Sequence, residues 1–207
     1  RILNKAIIHS KSEYIVFTDG DCIPHSNFLK THASEAKPKR FISGSYFRLS
    51  LHASEALKRE DIESGSCFQP KWLRARGMPF SKKMLRMAAS PLQDRIMSPF
   101  TMRSCTLKGG NASAWRKDLI EANGLDERFG YGGEDRELGV RLSNAGIHPI
   151  NARYKTTCLH LEHPRSYQDP VIVAANKELL RRTTREKVTR ATTGIQQLLD
   201  SGYQAVR

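Results

Sequence analysis

The run Tyr14-Ile15-Val16-Phe17-Thr18-Asp19-Gly20-Asp21-Cys22-Ile23-Pro24 carries apolar, β-prone residues straight into two aspartates separated by one glycine. A buried strand over 14–18 that ends at this turn delivers both carboxylates to the carboxyl edge of a sheet, where open α/β sheets bind ligands. Two carboxylates flanking a small residue suit a hard divalent cation, and such a cation suits a diphosphate. Gly20 leaves room for a ligand and tolerates unusual backbone angles. The same tripeptide is also a common surface turn, so its meaning depends on what else the chain carries.

The whole chain has 207 residues, enough for one domain with appendages. No apolar run approaches the length of a membrane span. Arg1-Ile2-Leu3-Asn4-Lys5 opens a mixed helix and shows no secretory pattern. Cys22, Cys67, Cys105 and Cys158 are widely spaced and form no Cys-x-x-Cys pair, which favours reduced thiols in a cytosolic protein over disulfides or zinc. The net charge of +13 calls for an anionic partner: nucleic acid, lipid headgroups or a phosphorylated substrate. A basic surface that is merely solvated is the plain alternative.

Hydrophobic spacing predicts helices over 1–11, 26–36, 53–64, 115–122, 133–145 and from Pro170 onward. Strands are expected over 41–47, broken at Gly44, over 106–108 and over 154–160. Asn123-Gly124 is a good helix stop. Residues 68–104 stand apart. Lys71, Arg74, Arg76, Lys82, Lys83, Arg86 and Arg95 alternate with Trp72, Leu73, Met78, Phe80, Met84, Leu85 and Met87, divided by prolines. Such an insertion either packs its apolar side on the core or lies on anionic lipid, where each basic residue adds on the order of 1 kcal/mol.

Three further segments carry chemistry. Gly109-Gly110-Asn111 allows close backbone approach to a ligand, or a plain turn. Tyr131-Gly132-Gly133-Glu134-Asp135 places two carboxylates in the first turn of a helix, where ordinary capping also favours them. His160-Leu161-Glu162-His163-Pro164-Arg165 sets two imidazoles three residues apart after an apolar strand, and imidazole binds manganese-class ions acceptably.

In this order, from about Asn4 to Arg165, the segments resemble the inverting nucleotide-sugar glycosyltransferases of family 2. The second half looks like the C-terminal domain of the galactosyltransferases. The resemblance implies an α/β, Rossmann-like GT-A fold with a mostly parallel sheet flanked by helices. It implies a catalytic domain over 1–165 with the basic insertion at about 68–104, and a basic helical extension over 166–207. The strand–helix units that normally precede the aspartate strand are missing, so an N-terminally truncated domain is expected, at ~30 residues per unit.

Site roles follow from the same resemblance. Asp135 is the expected general base. Asp21, His163 and, second to it, His160 are the expected ligands of Mn2+ or Mg2+, with Asp19 in an accessory place. Gly109, Gly110, Asn111, Tyr131, Gly133, Glu134 and Arg165 are expected at the donor or acceptor, Arg165 near the diphosphate. Tyr131 stands where such sequences usually have tryptophan, and it can still stack on a sugar. The implied reaction moves a sugar from a nucleotide-sugar, a UDP-sugar foremost, to a hydroxyl of a glycan or lipid-linked acceptor in cell-envelope polysaccharide or glycolipid synthesis. The expected place is the cytoplasm, with a peripheral seat on an anionic membrane. The rival from another class is a basic nucleic-acid-binding protein or metal nuclease using Asp19, Asp21, Glu134 and Asp135. It fits the charge but leaves the glycine and histidine motifs unexplained.

Overall fold

The computed structural model describes residues 1–88, 91–97, 106–164 and 169–203. Arg165 and Cys105 lie outside them. Helix α1 (Ile2–His9) leads into β1 (Tyr14–Phe17), β2 (Cys22–Pro24) and α2 (Phe28–Glu35). Strands β3 (Arg40–Ser43) and β4 (Ser45–Arg48) precede α3 (Leu51–Glu55), α4 (Arg59–Glu63), α5 (Pro70–Ala75) and α6 (Pro91–Met97). Then come β5 (Ala112–Trp115), α7 (Arg116–Glu121), α8 (Glu134–Asn144), β6 (His148–Asn151), β7 (Thr157–His160), α9 (Pro170–Arg185) and α10 (Ile195–Asp200).

The α/β class holds, but the strands divide into two small sheets, ordered β1-β5-β3-β6 and β2-β7-β4. The expected mostly parallel sheet is corrected. Among the described residues, β1–β5, β3–β5 and β2–β7 are antiparallel, while β3–β6 and β4–β7 are parallel. The reason lies in how the chain enters β5. Phe17, the last residue of β1, pairs with Ala112, the first of β5. The chain therefore arrives from Gly109-Gly110 at the end of the sheet that β1 has just reached, and must run away from it.

Gly44 supplies the break expected within 41–47, and there the chain changes sheets. A Cβ on Gly44 would fall 2.2 Å from Asn111 Oδ1, so the strand crossing needs glycine. The helix expected over 53–64 is two short ones, and 106–108 is irregular rather than a strand. Strand β5 escaped the sequence reading because Ala112-Ser113-Ala114 lacks β-branched bulk. These residues are buried between β1 and β3, where small side chains pack.

Each sheet has its own core. Phe41, Ala112 and Ala114 pack with Ile7, Leu119, Leu138, Leu142 and Ile195 around the first. Phe47 and Leu159 pack with Trp72, Leu73, Met84 and Met87 on the second. Part of the basic insertion thus buries its apolar side on the core, while Phe80, Leu92 and Ile96 stay exposed at 65%, 69% and 56%. Burying Trp72, Leu73, Met84 and Met87 contributes roughly 1.5–3 kcal/mol each.

A buried network fixes α8. Arg141, wholly buried, donates from Nε to Glu137 Oε1 at 2.8 Å, from Nη1 to Ala122 O and from Nη2 to Gly124 O at 2.8 Å. Thr183 Oγ1 donates to the same Glu137 oxygen at 3.0 Å, tying in α9. The helix stop at Asn123-Gly124, both residues left-handed, is held by these bonds and by Asn4, whose side chain bonds Leu125 N and O at 2.8 Å.

Candidate functional site

Strand β1 runs out at Phe17 and presents Asp19 and Asp21 in the turn before β2. The turn is tight: Cys22 N–H donates to Asp19 O at 3.1 Å, and Leu161 N–H donates to Asp21 O at 2.9 Å. The second bond seats the end of β7 against the Asp-Gly-Asp turn. Asp19 lies against Gly110, where a Cβ would fall 2.7 Å from its Oδ2. Gly110 therefore carries no side chain for a packing reason visible in the site.

The β2–β7 pairing, with Cys22 opposite His160, brings the two histidines to Asp21. His163 Nε2 stands 2.9 Å and His160 Nε2 3.5 Å from Asp21 Oδ2. Each ring is oriented from behind: His160 Nδ1 bonds Leu161 O at 2.7 Å, and His163 Nδ1 bonds Pro164 O at 2.9 Å. A carbonyl accepts only, so each Nδ1 donates to it, and each ring turns its Nε2 toward the carboxylate. That is the second-shell arrangement of a metal-binding imidazole. Asp21 Oδ1 is buried and, among the described residues, has no hydrogen-bond partner. Two imidazole Nε2 atoms and an orphaned carboxylate oxygen are donors of the type a divalent cation takes.

Cys22 joins Asp21 and His160 in a cluster whose ligand atoms lie within 4.8 Å of one another. Burial, with Asp19 and Asp21 adding, pushes its thiol up to about 12. The cysteine thus stays protonated here, and an oxygen–nitrogen ligand set suits a manganese-class ion better than a thiolate one.

Opposite this cluster, α8 begins at Glu134 behind Gly132 and Gly133, whose φ values of 82° and 97° require glycine. Asp135 Oδ2 accepts from Gly109 N–H at 2.9 Å. A Cβ on Gly109 would lie within 4 Å of both Asp135 Oδ2 and Asp19 Oδ1, so one glycine separates the two carboxylates. Burial raises the Asp19 carboxyl above its ordinary value, and Asp21 and Asp135 add to the rise while His160 opposes it. Burial likewise raises Glu134, with Asp135 and Asp19 contributing, and its buried Oε2 has no partner among the described residues. Crowded carboxylates of this kind accommodate cations.

These groups line one cleft of about 490 Å³. Of the residues expected at a site, Asp19, Asp21, Gly109, Gly110, Tyr131, Gly133, Glu134, Asp135, His160 and His163 face it. Tyr131 is exposed at its rim. Arg165 lies outside the described residues. Asn111 is a correction: it is wholly buried and lies behind the glycine loop, away from the cleft. Its Nδ2 donates to Ser45 O at 2.7 Å, which fixes the amide, and its Oδ1 accepts from His32 Nε2 at 3.0 Å. His32 Nδ1 then accepts from Ser113 Oγ at 2.7 Å, and Ser113 in turn accepts from Tyr14 at 2.8 Å. Asn111 is the end of a polar chain that anchors the loop.

Tyr46, Arg48, Lys108 and Arg136 also line the cleft and were not singled out by the sequence. Among 34 basic residues, nothing local marks a cleft-facing one. Only the alternation of β4, with Phe47 and Leu49 buried and Tyr46 and Arg48 exposed, carries a signal.

Residues 97–164 match the family described as the N-terminal domain of galactosyltransferase. The matched stretch is about a third of the chain and holds Gly109-Gly110, the Glu134-Asp135 turn and both histidines. No curated protein matches the chain. The chain thus carries a glycosyltransferase-like domain and is an enzyme of that class, which implies a sugar donor and an acceptor.

Proposed function

We propose, with a glycosyltransferase domain as the premise, that this chain is an inverting, metal-dependent transferase of the GT-A type. It moves a sugar from a nucleotide-sugar, a UDP-sugar in our reading, to a hydroxyl of a glycan or lipid-linked acceptor. The observation that carries this is the convergence of Asp21, His160 and His163 on one side of a cleft whose other side presents Asp135 across Gly109.

Asp21, His160 and His163 would hold Mn2+ or Mg2+, with Asp19 beside them. A bound ion of this class neutralises charge on a diphosphate leaving group. Asp135 takes the proton of the acceptor hydroxyl. As that oxygen attacks the anomeric carbon, the bond from carbon to phosphate oxygen breaks and its electron pair stays on the diphosphate. One displacement inverts the anomeric centre. Gly109 N–H holds Asp135 Oδ2, which leaves the carboxylate oriented for this role. Glu134 and Tyr131 serve the acceptor, Tyr131 by stacking at the rim.

Phe80, Leu92 and Ile96 are exposed, as are Lys82, Lys83 and Arg95 close to them in sequence, and this supports a seat on an anionic membrane surface on the cytoplasmic side. Such a seat suits a lipid-linked acceptor in envelope glycan synthesis. Among the described residues no helix is long and apolar enough to cross a membrane.

The test is transfer itself. Incubated with Mn2+, a panel of UDP-sugars and simple glycoside acceptors, the chain should release UDP and form a glycoside of inverted anomeric configuration by NMR. A product of retained configuration, or sugar transfer that chelation leaves untouched, contradicts the mechanism.

A further inference from the structure

We infer that Arg48 binds the diphosphate of the donor, a role resting on the transferase reading above. Across the second sheet, Cys22, His160 and Arg48 are register partners. Register partners project to one face of a sheet. The neighbouring row, Ile23, Leu159 and Phe47, projects to the other face and into the second core. Arg48 therefore stands beside the candidate metal ligand His160 on the cleft side, and it lines the cleft. Its neighbour Tyr46 packs its ring 5.6 Å from that of His160 and lies 6.0 Å under Lys108 Nζ, so this wall is cationic and ordered.

Charge favours the contact. Asp19, Asp21, Glu134 and Asp135 all line the same cleft. A diphosphate brought among four carboxylates is repelled unless cations offset them, and Arg48 supplies one beside those of Lys108 and Arg136. Among the described residues no carboxylate forms an ion pair with Arg48, so its guanidinium is not already neutralised. A guanidinium also offers a planar pair of donors that matches two phosphate oxygens. In the transfer step the electron pair of the broken carbon–oxygen bond stays on phosphate oxygen, and the acceptor proton goes to Asp135. The diphosphate gains one negative charge as the sugar leaves, and a contact from Arg48 strengthens at that moment.

Calorimetry on the wild type, Arg48→Ala and Arg48→Lys tests this. Each is titrated with Mn2+ alone, then, in Mn2+, with uridine diphosphate and uridine monophosphate. The expected result is unchanged Mn2+ affinity, diphosphate binding weakened at least about tenfold in Arg48→Ala, partial recovery in Arg48→Lys, and little change for the monophosphate. Unchanged diphosphate binding in Arg48→Ala, or equal losses for both nucleotides, overturns the inference while leaving the transferase reading intact. A wild type that binds neither nucleotide, with or without Mn2+, overturns both. Thermal melts by circular dichroism check the folds; should Arg48→Ala not fold, Arg48→Gln, which keeps the stem without the charge, stands in for it.

Discussion

His163 Nε2 lies 2.9 Å from Asp21 Oδ2 across 142 residues of chain. Nothing local brings these two together. The β2–β7 pairing does, and both imidazoles arrive with Nδ1 already committed to a backbone carbonyl. The pair is thus set up for a cation before any ligand enters.

Loss of either imidazole should be felt by the metal alone. In His163→Ala and His160→Ala, Mn2+ affinity followed by electron paramagnetic resonance should fall at least about tenfold, since even second-shell partners of metal ligands are worth about 10–100-fold. Unaltered Mn2+ binding in both variants would remove the histidines from the metal site.

Asp135→Asn can keep the bond from Gly109 N–H to its side-chain oxygen; it gives up the bond that the second carboxylate oxygen accepts from Arg136 N–H and removes the basicity. Transfer should drop by about 10²–10⁴-fold, the usual worth of a positioned general base, with nucleotide binding retained. A variant turning over at the wild-type rate would take Asp135 out of the chemistry.

Arg141→Ala leaves Glu137 buried without its cation and takes the guanidinium's bonds from the carbonyls of Ala122, which keeps the one from Ala191 N–H, and Gly124. Breaking a buried pair from one side costs about 3–5 kcal/mol, so the urea midpoint should fall sharply. Because α8 carries Asp135 on its first turn, activity should be lost at a lower temperature in the variant.

His32 gives the fold a pH dependence. Burial lowers its pKa below the ordinary 6.5. Above that value both states are neutral and the group contributes no slope. As pH falls through 6.5 the unfolded chain takes up a proton that the folded one refuses, so stability declines toward the lowered folded pKa. Melting temperatures from about pH 7 to about pH 5 should fall in the wild type and fall less in His32→Gln. Equal slopes would show that His32 is not the group responsible.

What the sequence made legible was chemistry held in short local signals. Asp19-Gly20-Asp21, Glu134-Asp135 and the His160–His163 spacing each read as a candidate because the residue types and their spacing are contiguous. Gly44 announced a strand break for the same reason. Hidden were the facts that depend on pairing at a distance. The antiparallel pairing of β5 with β1 and β3 follows from the direction in which β5 leaves Gly109-Gly110, and no periodicity encodes that. Asn111 sits within a ligand-like motif, yet His32 and Ser45, brought from other elements, absorb its side chain. Arg48 was invisible among so many basic residues until its register beside His160 was known.

The most direct measurement is calorimetric titration of the chain with UDP, with and without Mn2+, beside the Asp21→Ala variant. Binding that needs Mn2+ and disappears in Asp21→Ala is the expected result. UDP binding of equal strength without the ion, or untouched by the loss of Asp21, would contradict a metal-dependent nucleotide-sugar site in this cleft.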